Sequence, residues 1–174
     1  MKLLIALGIL LLLYVFFLLF KSKKNKKMLI MEKINNINEK IESTLLKRKQ
    51  LLIDSENMIK KIINTDKNIY EDINCIDNIN NMIELDRKIM VYINEFYIIS
   101  NRYKKLKDNK DFQQLYFNIT ETEDLINAYK EYYNEVAKKY NKLIRFFPFS
   151  IIYRLKGMKE KLFFDRPTNK DSEI

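Results

Sequence analysis

The sequence predicts an all-α protein: an N-terminal transmembrane helix, then an elongated up-and-down antiparallel bundle of three to four long helices, and a short C-terminal helix. Three observations lead there. No glycine or proline occurs between residues 28 and 147 of the 174-residue chain, so tight turns and hairpins have almost no material. Apolar residues recur at three- and four-residue steps through the same stretch. Near the start, residues 3–20 read LLIALGILLLLYVFFLLF, uncharged throughout, and KSKKNKK follows.

The opening run comes first. As a helix rising about 1.5 Å per residue, Leu3 to Phe20 spans roughly 27 Å, close to one hydrocarbon core. A cleaved signal peptide carries its charge in front and small residues at a cleavage site. Here the charge lies behind, and no such site follows. The run is therefore expected to stay as a single-pass anchor. Lys21, Lys23, Lys24, Lys26 and Lys27 outweigh Lys2, which places the N-terminus outside the cell membrane and the body in the cytoplasm. The same lysines suit anionic headgroups.

The formal charge of +9 suggests nucleic acid until its distribution is considered. Residues 1–27 hold six lysines and no acid, and the remainder carries only +3. No nucleic-acid partner is expected. There is no histidine and one cysteine, Cys75. That removes histidine acid–base chemistry, His or multi-Cys metal sites, Ser-His-Asp and Cys-His nucleophiles, and an intrachain disulfide. No catalytic residue, metal or cofactor is expected, and the chain reads as non-enzymatic.

Behind the anchor, one apolar stripe runs Ile34, Ile37, Ile41, Leu45, Leu52, Ile59, Ile62. It resumes at Ile69, Ile73, Ile76, Ile79, Ile83, Met90, Ile93, Phe96 and Tyr103. A third series is Phe112, Leu115, Ile119, Ile126, Tyr129, Tyr133, Val136, Tyr140, Leu143 and Phe147. Each helix is polar on its other side, so the stripes must pack together. A turn near 65, with Asp66 as N-cap, gives three helices; turns near 54 and 80, with Asp54 and Asn81 as caps, give four. Periodicity does not choose between them. A further boundary falls at 107–109, where Asp108 precedes a fresh apolar run. Pro148 ends the last long helix, SIIYRLKG at 150–157 forms a short one ending at Gly157, and the tail is polar and disordered. The expected division is 1–27 anchor and basic flank, 28–165 bundle, and 166–174 tail.

Residues 103–165 carry, in order, Leu106-Lys107, Asn109 with Phe112, Thr122-Glu123, Tyr133-Asn134, Tyr140-Asn141, Phe147-Pro148, Gly157-Met158 and Phe163-Phe164. In this order and spacing they resemble the C-terminal half of the LemA family. LLKRKQLLIDSENMIKKI, 45–62, is similar to that family's Leu-x-Arg-Arg stretch, although Asp54 stands about where the family has a proline. The resemblance covers nearly the whole chain and implies a membrane-anchored helical bundle. It implies no reaction.

The two Tyr-Asn pairs are seven residues apart, which places Tyr133 and Tyr140 on one helix face as core residues. Thr122 and Glu123 suit a buried interhelical hydrogen bond or a solvated face. Acids in the first part of this helix and bases in the last match its dipole. Between 138 and 166 stand nine basic residues and two acids, interleaved with phenylalanine and leucine. Lys156, Lys159, Lys161, Phe163, Phe164 and Arg166 are the candidates there for a contact with a protein partner or lipid. The function expected is a scaffold or interaction module at the cytoplasmic face; the alternative is a signalling or stress adaptor that partners another integral-membrane protein. The partner is unidentified, and self-association is left open.

Overall fold

The computed structural model of the chain describes residues 1–70, 73 and 81–165, without the side chains of Lys2, Leu3, Leu4, Ala6, Leu13 and Phe16. Cys75, the stripe positions Ile76 and Ile79, Arg166 and the tail lie outside the described residues. Among those described there is no strand, and the helices are α1 Lys2–Ile63, α2 Met82–Arg102, α3 Lys104–Lys107, α4 Lys110–Arg145 and α5 Phe149–Leu155. No helix of the described residues is long and apolar enough to cross a membrane. The run 3–20 is only partly within that set, because Leu3, Leu4, Ala6, Leu13 and Phe16 are among the undescribed side chains.

The helix boundaries follow local chemistry. Asp54 caps nothing: α1 runs through it, and its carboxylate accepts a hydrogen bond from Gln50 one turn earlier at 2.9 Å. The helix ends at Ile63, with Asn64 in the left-handed region at φ 58°, which asparagine tolerates better than most residues. Asp66 starts no helix, since residues 65–70 form bends and irregular chain. That stretch is tied back to α1. Glu56 accepts the Ile69 N–H at 2.9 Å, Lys60 donates to Asn68 at 2.9 Å, and the Tyr70 and Ser55 hydroxyls share a hydrogen bond of 2.8 Å. The chain thus leaves α1 near 65 and enters α2 near 81, taking one boundary from each sequence alternative. Asn81 is the cap expected of it, its side chain accepting the Ile83 N–H at 3.0 Å.

One boundary differs from expectation. Tyr103 adopts an extended conformation and splits off α3 as a separate turn. The boundary expected at 107–109 is present, with Asn109 as the cap of α4: its side chain accepts the Phe112 N–H at 2.9 Å and its carbonyl accepts the Gln113 N–H at 3.0 Å. Pro148 does separate α4 from α5, and Gly157, at φ +67°, follows the end of α5 in a conformation that favours glycine.

The chain forms two compact units. The first comprises Met1–Ile37 and Tyr133–Phe163. Its buried residues are Ile34, Ile37, Tyr133, Val136, Ala137, Tyr140, Leu143, Ile144, Phe149 and Tyr153. The second comprises Asn38–Tyr132 with Phe164 and Asp165. Its core takes Ile41, Leu45, Leu52 and Ile59 from α1, Ile89, Ile93 and Phe96 from α2, Leu106 from α3, and Phe112, Leu115, Ile119 and Ile126 from α4. The rings of Phe96 and Phe112 lie 5.6 Å apart within it. Several stripe positions are corrected. Ile62, Ile69, Ile83, Met90 and Tyr129 are only half-buried, while Tyr103 and Phe147 are exposed. In α2 the core register is set by Ile89 in place of Met90.

Candidate functional sites: a buried charge triad and an exposed apolar turn

The second unit encloses three charged side chains, one from each long helix that passes through it. Lys130 of α4 donates to Asp86 of α2 at 2.8 Å, and Arg48 of α1 faces the same carboxylate at 3.8 Å. All three are buried. Arg48 also donates to the Met90 sulfur at 3.4 Å, while its Nε and Nη1 and the Asp86 Oδ1 lack hydrogen-bond partners. Burial lowers the Arg48 pKa from the ordinary guanidinium value, and the neighbouring Asp86 and Glu123 charges pull it back up. Two cations share one carboxylate here, with Glu123 half-buried nearby. The arrangement suits holding three helices in register more than chemistry.

Sequence reasoning did not identify this triad, although two signals were present. The stripe steps by seven from Leu45 to Leu52 and from Ile83 to Met90, and Arg48 and Asp86 fill those gaps. Lys130 lies four residues after Ile126, one position round from the predicted Tyr129.

Of the two readings offered for Thr122 and Glu123, the interhelical bond holds for Glu123, and Thr122 takes neither. Thr122 is buried and donates to the Ile119 carbonyl at 2.8 Å, a bond within its own helix. Glu123 is half-buried and accepts from the Tyr97 hydroxyl at 2.7 Å, an interhelical bond. Burial raises the pKa of the Tyr97 phenol, and the bond to Thr120 acts in the opposite direction.

The Tyr-Asn pairs lie in the first unit. Tyr133 and Tyr140 are buried, and burial raises the pKa of both phenols. Asn134 is half-buried. Asn141 is buried and grips the main chain of Lys161 with both ends of its amide: Nδ2 donates to the Lys161 carbonyl at 2.9 Å, and Oδ1 accepts its N–H at 2.8 Å. Arg145, one turn further, forms a two-point pair with Glu160, which lowers the Glu160 pKa. The second Tyr-Asn pair therefore holds the returning C-terminal segment against α4.

The expected docking residues are not one surface. Phe164 is only 3 % exposed and belongs to the second unit, where Arg87 pairs with the adjacent Asp165 at 2.6 Å. Phe163 is exposed, Lys156 and Lys159 are exposed, and Lys161 is half-buried. Arg166 lies outside the described residues. The structure instead exposes Phe147, Ile151 and Leu155, of which Leu155 is 83 % exposed. Among the five lysines that follow the apolar run, Lys21, Lys24 and Lys26 are exposed, while Lys23 and Lys27 are half-buried. Lys23 lies over the Phe146 ring at 4.3 Å, and Lys27 over the Tyr153 ring at 5.9 Å. Phe20, at the end of the apolar run, contacts Phe149, ring to ring, at 5.8 Å.

No curated protein matches the chain. A sequence model of the LemA family matches residues 37–174. The match takes in the second half of α1, helices α2 to α5, the charge triad and the Asn141 grip, and on that extent the chain belongs to the LemA family.

Proposed function

We propose that this LemA-family chain is a single-pass membrane protein whose helical body, arranged up and down, works as a non-enzymatic scaffold or interaction module at the cytoplasmic face. The observation that carries the reading is the surface of α1 ahead of Phe20. Ile5, Leu7, Ile9, Leu10, Leu11, Leu12, Tyr14, Val15, Phe17, Leu18 and Leu19 are all between 45 and 71 % exposed. A continuous apolar surface of that size is costly in water and needs a covering. Lipid is the covering that an eighteen-residue uncharged run followed by five lysines suits best. The half-satisfied triad inside the second unit favours a structural role for its charges over a catalytic one.

Topology is tested with single cysteines near residue 2 and near residue 170, with Cys75 replaced. An impermeant reagent on intact cells should label only the N-terminal one. The reverse pattern would overturn the cytoplasmic assignment. Crosslinking in the native membrane then separates a scaffold, which would capture further copies of itself, from an adaptor, which would capture one integral-membrane partner.

A further inference from the structure

We propose that α5 and the Phe-Phe-Pro turn before it form a second membrane contact, lying in the headgroup layer beside the lysine flank with Phe147, Ile151 and Leu155 directed into the lipid. The inference rests on the anchor reading above and adds a second point of insertion. Its geometry lies wholly within the first unit. Phe149 packs on Phe20, the last residue of the apolar run, at 5.8 Å. Phe146 lies under Lys23 at 4.3 Å, and Tyr153 under Lys27 at 5.9 Å. Lys27 also reaches the Met158 sulfur at 3.6 Å. The α5 region is thereby tied to residues 20–27 of α1, a stretch of about 10 Å at 1.5 Å per residue. If Phe20 ends the span, those residues occupy the interface.

Phe149 and Tyr153 use the inward face of α5. Ile151 and Leu155, four residues apart, lie on the outward one and are 56 and 83 % exposed, and Phe147, in the turn before the helix, is 75 % exposed. Large apolar groups at that level are stabilised by entry into the acyl boundary. Around them, Arg154, Lys156 and Lys159 are exposed and match the charge of the lysine flank, so the whole neighbourhood complements anionic headgroups. A water-facing helix end would not need exposed apolar side chains at both outward positions and in the turn before it.

The experiment uses the full chain with Cys75→Ser, reconstituted in protein-free vesicles of phosphatidylcholine and phosphatidylglycerol. Nitroxides on Leu11→Cys, Ile151→Cys, Leu155→Cys, Arg154→Cys and Asp124→Cys are read one at a time for collision with oxygen and with a water-soluble nickel chelate. Leu11 should report the acyl core and Asp124 water. Ile151 and Leu155 should be shielded from nickel several-fold relative to Asp124, at a depth of roughly 5–10 Å. Arg154 should stay more accessible than either. Ile151 and Leu155 as open to nickel as Asp124, with Leu11 still buried, overturns the proposal and leaves the anchor standing. Leu11 open to nickel overturns the anchor and the proposal with it. Shielding at Leu155 that disappears on diluting the protein in lipid overturns the proposal in favour of a second copy. Shielding found only in native membranes overturns it in favour of a protein partner.

Discussion

Asp86 serves two buried cations, so its removal and the removal of the whole triad should have opposite consequences. Asp86→Ala leaves Arg48 and Lys130 buried without the carboxylate they share, with only the half-buried Glu123 near Arg48, and should cost about 3–5 kcal/mol. Replacing all three with Met or Leu of similar volume should be close to neutral or stabilising, because the desolvation cost of the ions then disappears. Denaturant titration of the detergent-solubilised chain measures both; a triple variant as unstable as Asp86→Ala would show that the charges themselves are needed. A second residue-scale effect concerns alkali. Burial raises the Tyr70 phenol well above its ordinary value, and the bond from Ser55 pulls it partly back. The unfolded chain loses this proton first. The stabilisation is therefore complete below the unfolded value of about 10, and falls by about 1.4 kcal/mol for each pH unit above that until the raised folded pKa is reached. Stability measured between pH 9 and 11 should decline less steeply in Tyr70→Phe than in the parent chain.

At the scale of the helix, the best single target is the start of α4. Asn109→Ala removes the acceptor for the Phe112 N–H and should cost about 1 kcal/mol, whereas Asn109→Gly should cost only a few tenths. Equal losses from the two would show that the side chain is not the cap. This boundary was legible in outline, because the apolar run restarts at Phe112 and two small polar residues precede it; which of the two caps is decided by backbone geometry that a sequence does not carry. Pro148 and Gly157 were legible for the opposite reason, since their backbone restrictions are intrinsic. Tyr103 was missed because a tyrosine in an apolar stripe reads as helix interior, and nothing in its side chain announces an extended residue. Most of the core was readable from three- and four-residue steps. The triad was not, because a search for apolar periodicity passes over a buried arginine, aspartate and lysine even when they sit in its gaps. In the pair Phe163-Phe164 only the second ring is buried, at 3 % exposure against 48 % for the first, and a run of two phenylalanines does not say in a sequence which of them turns inward.

For the molecule as a whole, the excess charge and the contacts of α5 depend on the same short stretch. Removing residues 1–27 leaves +3 of the original +9 and also removes Phe20, Lys23 and Lys27, the contacts of Phe149, Phe146 and Tyr153. The fragment 28–174 should be soluble and mainly helical, with amide protection over α2 and the first half of α4 close to that of the full chain. Protection over 149–158 should fall, as hydrogen exchange would report. Uniform loss across the fragment would mean that the second unit does not hold by itself. The fragment should also bind nucleic acid weakly; tight, salt-sensitive binding would contradict the charge distribution.

The grip of Asn141 on Lys161 reads main chain and ignores side chain. Lys161→Ala should leave it intact, while Lys161→Pro deletes the N–H and should free the segment around it, visible as faster exchange at the neighbouring amides. Position and display are therefore uncoupled in this part of the protein. Substitutions at the exposed residues Leu162 and Phe163 can change what is presented to a neighbour without changing where it is presented. One frame can in this way be retargeted by surface substitutions alone, provided that Asn141 and the Arg145–Glu160 pair are kept.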